Sequence, residues 1–256
     1  MTDHGRLLPA IEAAARSAGE AILKIYETDF EIEQKDDDSP VTQADIDAER
    51  IILEVLHRLT PDVPVVAEEQ SAKGIIPEVG DRFWLVDPLD GTREFLSRNG
   101  EFTVNIALVE DRCPVLGVVH APARNLTYTT GIDGKATRRS GDGPTEIIQV
   151  RTPPDAGLSI VASRRHGSGS EIERFLQGRP VAERITCGSS LKFCVVAAGD
   201  ADIYPRFGPT MEWDTAAGQA VLTAAGGRVT TLDGDEFRYA KAGFRNPNFI
   251  AWGGAT

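Results

Sequence analysis

Phe83-Trp84-Leu85-Val86-Asp87-Pro88-Leu89-Asp90-Gly91-Thr92 is the stretch on which the reading of this chain turns. An apolar run with strand character ends in Asp87, which presents a carboxylate at a sheet edge, and Pro88 fixes φ and removes a donor as the chain turns. Asp90 can then swing back toward Asp87. Two carboxylates about 4 Å apart repel by roughly 4 kcal/mol at an effective dielectric near 20, so the pair demands protons or a hard cation. With no Cys or His close by, an all-oxygen donor set favours magnesium, calcium or manganese over zinc. Gly91 lets the backbone approach a ligand, and the N–H groups of Gly91, Thr92 and Arg93 can face an anion. The stretch therefore predicts a cation site beside an anion site, with a solvated Asx-type turn as the alternative.

The spacing Asp-x-x-Asp-Gly-Thr differs from the Asp-x-Asp-Gly-Thr of phosphatases that pass through an aspartyl-phosphate. Pro88 stands two residues before Asp90 and has no nucleophile, so the covalent route lacks its attacking group. Water attack on a metal-bound phosphate is the route that remains.

Outward from that stretch, 256 residues suffice for one large domain or two halves sharing an interface, and two halves are expected. Hydrophobic content of 41% and charged content of 26% are those of a globular chain. A formal charge of -12 disfavours polymeric nucleic acid as a partner. A small phosphorylated molecule held through metals remains compatible. The apolar stretches fall well short of the ~20 residues of a membrane span, and Met1 to Arg6 lacks a signal-peptide pattern, so no transmembrane segment and a cytoplasmic location are expected. Cys113, Cys187 and Cys194 form no CxxC pair and read as reduced packing residues. Oligomeric state is left open.

Leu8, Ile11, Ala15, Ala18, Ile22 and Ile25 recur at helical steps, and the acidic segment Glu31 to Asp38 ends that pattern. Thr42 and Asp45 resemble a capping box at the start of a second helix, from about Gln43 to Leu59. Val63 to Ala67 and Phe83 to Val86 read as strands ending just before acidic residues, and Thr103 to Leu108 with Val115 to His120 as an antiparallel pair. Turn signals fill Gly131 to Pro154 around a short strand near Ile147 to Val150, and the boundary between halves is expected near Arg151. Beyond it, strands at Ser159 to Ala162, Val181 to Ile185 and Ala201 to Tyr204 alternate with helices near Glu171 to Leu176 and Ser190 to Ala198. Asp214 opens a last helix, Thr215 to Ala225, before Gly226 and Gly227. The alternation gives an α/β fold class, an α+β layered sandwich with an N-terminal half (1–150) and a C-terminal half (151–256).

Five acidic positions stand out: Asp45, Glu68, Asp87, Asp90 and Asp214. Singly, each has a structural alternative as helix-end charge, loop charge or N-cap. In order along the chain they fall in Ser39-Pro40-Val41-Thr42 with Asp45, Ala67-Glu68-Glu69, Asp87-Pro88-Leu89-Asp90-Gly91-Thr92 and Trp213-Asp214-Thr215-Ala216-Ala217-Gly218. With these four motifs the chain resembles the inositol monophosphatase superfamily of lithium-sensitive, magnesium-dependent phosphatases. The resemblance implies that Glu68, Asp87, Asp90, Asp214 and the Leu89 carbonyl hold two or three magnesium ions, and that Asp45 and Thr92 orient the attacking water. Lys35 to Asp38 resemble the mobile loop of the superfamily, or a solvated turn. No histidine accompanies a Gly-x-Ser-x-Gly elbow, which disfavours a Ser/His hydrolase.

Arg93-Glu94-Phe95-Leu96, Arg98-Asn99-Gly100-Glu101-Phe102-Thr103-Val104-Asn105-Ile106-Ala107-Leu108, Asp202-Ile203-Tyr204-Pro205-Arg206 and Thr210-Met211-Glu212-Trp213-Asp214 resemble the CysQ branch, the 3′(2′),5′-bisphosphate nucleotidases. That resemblance implies hydrolysis of adenosine 3′,5′-bisphosphate to AMP and phosphate. It assigns Gly91, Thr92, Ser163, Arg164, His166, Ser189, Lys192 and Arg206 to substrate binding, the C-terminal members holding the 5′-phosphate and nucleoside. An inositol monophosphatase, a fructose-1,6-bisphosphatase-like sugar phosphatase and a non-catalytic metal-dependent anion binder are the alternatives.

Overall fold

The computed structural model describes residues 3–28, 33–34, 40–164 and 169–254. His166 and Lys35 to Asp38 lie outside the described residues, as does Ser39.

The chain opens with helix α1 (Asp3–Tyr26), whose apolar stripe Leu7, Leu8, Ile11, Ala15, Ala18 and Ile22 is buried. A two-residue ladder of β1 (Glu33–Gln34) and β2 (Pro40–Val41) leads into α2 (Gln43–Leu59). The Thr42 hydroxyl accepts from Ala44 N–H, and the Asp45 carboxylate accepts from Thr42 N–H, so the expected capping box is present. Next come β3 (Val65–Ala67), a one-turn helix α3 (Glu68–Ala72), β4 (Arg82–Asp90) and a second short helix, α4 (Thr92–Leu96). An antiparallel run follows: β5 (Thr103–Glu110), β6 (Cys113–Ala121), β7 (Leu126–Thr129), β8 (Thr137–Ser140) and β9 (Thr145–Ile147). β3 to β9 form a seven-stranded sheet in sequence order.

The rest of the chain builds β10 (Leu158–Ala162), α5 (Gly169–Leu176), β11 (Val181–Thr186), α6 (Leu191–Ala197), β12 (Ile203–Arg206), α7 (Ala216–Ala224), β13 (Arg228–Thr231) and β14 (Phe249–Trp252). Its five strands form a second sheet in the order β11-β10-β12-β14-β13.

Side-chain alternation explains the layering. Trp84 and Val86 of β4 with Val104, Ile106 and Leu108 of β5 share a core with α1 and α2. Phe83, Leu85, Ala107 and Val109 point the other way, into a core with α6, α7 and the inner face of the second sheet. A third core seats α5 on the outer face of that sheet, through Ile172 and Leu176 against Leu158, Ile160, Ile203 and Ile250. The molecule is thus a stack of helix pair, sheet, helix pair, sheet and helix. The middle layer is tight. A Cβ on Gly117 of β6 would meet the Ala217 carbonyl at 2.5 Å, and one on Gly218 of α7 would meet the Phe193 ring of α6 at 2.5 Å. Phe193 in turn stacks on Phe249 of β14, with ring centroids 5.6 Å apart.

Some boundaries depart from the sequence reading. The short strand ends at Ile147 because the next amides leave the ladder: Ile148 N–H goes to the Ala136 carbonyl and Val150 N–H to that of Ala225. β12 begins at Ile203, since Asp202 turns its carboxylate to Arg151 and to Ser159 N–H. Arg206 pairs with Phe249 of β14 and is the last strand residue instead of following the strand. β3 starts at Val65, not Val63, and Thr215, not Asp214, is the residue flanking α7. Helices α3 and α4 and strands β7, β8, β13 and β14 had no distinct sequence signal. All are five residues or shorter, too short to show a period.

His120 of β6 is buried, its Nδ1 3.0 Å from the Thr127 hydroxyl, and burial followed by the Arg16 charge lowers its pKa to about 4. The unfolded chain takes up this proton near pH 6.5 and the fold resists it to about 4, so stability should fall as pH drops through that window, by up to roughly 3 kcal/mol. Thermal melts between pH 7 and 4 are expected to show a shallower acid loss for His120→Gln than for the parent chain.

Candidate active site

The parallel pairing of β3 and β4 aligns Ala67 with Val86, so the next residue of each strand, Glu68 and Asp87, become lateral neighbours. The Glu68 carboxyl is within hydrogen-bonding reach of Asp87. Beyond Asp87 the register with β5 is interrupted, and pairing resumes at Asp90 opposite Thr103. That irregularity turns Asp90 back toward Asp87. Asp214 arrives from the opposite side, just ahead of α7, held by Met211 N–H donating to its Oδ2 at 2.8 Å.

Glu68, Asp90 and Asp214 line a cavity of about 280 Å³ together with Gly91, Thr92, Glu94, Ser163, Ser189, Lys192, Tyr204 and Arg206. Asp87 lies buried beneath it, and its Oδ1 accepts from Leu89 N–H at 3.1 Å. The four carboxyls sense one another. Burial first, then the charges of Glu68, Asp90 and Asp214, pushes Asp87 well above the usual carboxylate range. Burial, then Asp90 and Glu68, does the same to Asp214. Asp90 rises to about 6, raised by burial and restrained by Lys192 and by Ser190 N–H, which donates to its Oδ2 at 2.5 Å.

Among the described residues, no three His, Cys, Asp or Glu side chains are drawn into a closed group ready to hold a metal ion. Asp87, Asp90 and Asp214 are instead each turned toward a backbone N–H, while Glu68 lies beside Asp87. The chemistry of the donors nonetheless suits a hard cation, being all oxygen, desolvated and without a thiolate or imidazole.

Asp45, two per cent exposed, sits behind Thr92, which opens α4. The Thr92 hydroxyl is 3.5 Å from Asp45 Oδ1 and 3.4 Å from the Leu89 carbonyl. Burial raises the Asp45 pKa to about 7 against the opposing hydrogen bonds from Thr42, with Glu69 and Glu68 adding to the rise. One turn along α2, Glu49 is also buried and accepts Glu69 N–H at 2.7 Å, supplying the cap that Ala67 cannot give to α3. Sequence reasoning missed Glu49. Its signal was its four-residue spacing from Asp45, which puts both carboxyls on one face of α2.

Of the remaining expected residues, Gly91 has φ +89, and a Cβ there would press on Ser189 and Glu94 at 3.3 Å. Lys192 is buried, donates to the Ser189 carbonyl and lies 5.2 Å from the Tyr204 ring centroid. Arg206 is buried, with Nη2 donating to the Pro209 carbonyl at 2.9 Å and Nε without a partner among the described residues. Arg164 does not line the cavity. Its guanidinium is paired with Glu101, which also takes Arg124 and Gly188 N–H.

The inositol monophosphatase family model matches residues 4–253, and the chain belongs to that family. It is 47% identical over 246 residues, 95% of this chain and 98% of the relative, to the 3′(2′),5′-bisphosphate nucleotidase CysQ of Salmonella typhimurium. The crystal structure of CysQ from Bacteroides thetaiotaomicron superposes with a TM-score of 0.82 at 38% identity, covering 98% of each chain. An IMPase from Thermotoga maritima superposes at 0.78 with 29% identity, over 96% of this chain and 91% of that one.

The raised carboxyls set a second pH dependence. Asp45 ionises near 3.8 when unfolded and near 7 in the fold, so native chains hold the extra proton between those values and stability falls as pH rises through them. In chelator-containing buffer the melting temperature should decline from pH 5 to 8, and Asp45→Asn should flatten the decline.

Proposed function

We propose that this chain is a magnesium-dependent 3′(2′),5′-bisphosphate nucleotidase that converts adenosine 3′,5′-bisphosphate to AMP and inorganic phosphate. The observation that carries the reading is one cavity with an acidic floor and a cationic wall: Glu68, Asp90 and Asp214 on one side, Lys192 and the half-partnered Arg206 on the other. A substrate with two phosphates answers both, one against each surface. The 47% identity to a relative described as such a nucleotidase supports the choice over an inositol or sugar phosphatase.

Glu68, Asp87, Asp90, Asp214 and the Leu89 carbonyl are the groups that would hold two or three magnesium ions, which would supply charge neutralisation of the floor, polarisation of the phosphoryl oxygens and acidification of a water. The chain's own work is orientation and proton handling. The Thr92 hydroxyl donates toward Asp45 and leaves its oxygen free to accept from the attacking water, so the water's proton is drawn along the Thr92 to Asp45 line. An Asp45 pKa near neutrality suits it to take that proton. Pro88 stands where an aspartyl-phosphate enzyme carries its nucleophile, so a direct in-line displacement with inversion at phosphorus is assigned. Gly91 brings backbone N–H groups close to the scissile phosphate. Lys192, Arg206, Ser163 and Ser189 meet the phosphate that stays on the product. Arg206 Nε–H, buried without an acceptor among the described residues, gains one there.

No helix among the described residues is long and apolar enough to cross a membrane, and the three cysteines are free thiols. Both fit a reducing cytoplasm as the place of action.

Asp90→Asn is expected to lower kcat by about a thousandfold or more while the melting temperature stays within a few degrees. Turnover close to that of the parent would reject the assignment. Arg206→Ala should raise KM for adenosine 3′,5′-bisphosphate roughly tenfold or more and leave inositol 1-phosphate release little changed; equal effects on both substrates would favour the inositol phosphatase reading. Magnesium should raise the melting temperature more at pH 8 than at pH 6, because more of the floor is ionised at the higher pH.

A further inference from the structure

Glu101 lies outside the cavity and outside every role assigned above, yet it joins the cavity's two walls. It is six per cent exposed, just ahead of β5 in the seven-stranded sheet. Arg124 Nη2 donates to its Oε1 at 2.6 Å, Gly188 N–H donates to its Oε2 at 2.8 Å, and Arg164 Nη1 donates to the same oxygen. Gly188 and Arg164 both belong to the C-terminal sheet side. Arg164 follows Ser163 off β10, and Gly188 precedes Ser189 in the connection from β11 to α6. Ser163 and Ser189 line the cavity.

The turn at Gly188 to Ser190 is pinned twice. On one flank Gly188 N–H meets Glu101, and on the other Ser190 N–H meets Asp90, with the Ser190 hydroxyl between Thr103 and Asn105. Ser189, between the pins, has φ +48, a left-handed conformation that a serine keeps only when its neighbours fix it. The turn also sits directly on residue 101, since a Cβ on Gly188 would meet the Glu101 carbonyl oxygen at 2.8 Å.

We propose that Glu101 is a positioning residue that fixes the separation between the carboxylate floor and the Ser163 and Ser189 wall, and so sets recognition of the phosphate that is not cleaved. This rests on the bisphosphate reading above. Two phosphates on one ribose have a nearly fixed spacing, so a wall displaced from the floor costs affinity for the bisphosphate and leaves a monophosphate, bound at the floor alone, unaffected.

Glu101→Ala removes all three anchors, whereas Glu101→Gln keeps an acceptor for Gly188 N–H and loses the ion pairs. For Glu101→Ala, KM for adenosine 3′,5′-bisphosphate should rise about tenfold or more with kcat within about threefold, while both constants for adenosine 3′-monophosphate stay within about twofold. Glu101→Gln should raise the bisphosphate KM by a smaller factor, about threefold, and amide exchange at Gly188 should be faster in Glu101→Ala than in the parent. Equal changes on both substrates, an unchanged KM for the bisphosphate, or unchanged exchange at Gly188 would overturn the inference. If Glu101→Ala gives no cooperative melt, Glu101→Gln decides: a KM rise confined to the bisphosphate supports the role and an equal shift on both substrates rejects it. A parent chain that releases no phosphate from the bisphosphate would instead reject the substrate reading, while Gly188 exchange still reports whether Glu101 holds the turn.

Discussion

Repulsion among clustered carboxylates is the constraint around which this molecule is built. Glu68, Asp87, Asp90 and Asp214 come from three separate places in the chain, and each would move away from the others if its backbone allowed it. The fold opposes this by aiming a backbone N–H at Asp87, Asp90 and Asp214, and another at Asp45 behind them. Leu89 N–H holds Asp87, Ser190 N–H holds Asp90, Met211 N–H holds Asp214 and Thr42 N–H holds Asp45. Position is therefore set by protein hydrogen bonds, and a cation would find the donors already facing a common volume.

The middle helical layer transmits that constraint across the molecule. α7 carries Asp214 to the floor and is wedged between β6 and α6 at the two glycine contacts, and α6 follows the turn that touches Asp90. Sliding α7 along β6 would move Asp214 relative to Asp87, and tilting α6 would move Ser190 relative to Asp90. Dense packing of Phe193, Tyr204 and Phe249 makes either motion costly.

Much of this was legible in the sequence, and the reasons are specific. Periodic stripes gave α1 and α2, the second helix matching at its start because its capping box is written in Thr42 and Asp45 and at its end because Pro61 follows. The clustering of the acidic motifs was legible because Asp87 and Asp90, set close together after an apolar strand, are two carboxylates that call for a shared counter-charge. What escaped was short or non-local. α3 and α4 are five residues each, and the cap on α3 comes from Glu49, some twenty residues earlier in the chain. Arg164 reads from sequence as a cation free for substrate, but its guanidinium is committed to Glu101, a pairing across 63 positions that no local pattern announces. The two layers of sheet were implied by alternating elements. Their sharing of one pair of helices was not.

The wedge of α7 against β6 brings residues a hundred positions apart into contact, 117 against 217. Such non-local closure is slow and can occur only after α7 has left the ribosome. Until α7 docks, Glu68, Asp87 and Asp90 lack Asp214, which stands just ahead of that helix. Assembly of the centre thus coincides with the final docking event, and partly made molecules stay inert toward the nucleotide pool.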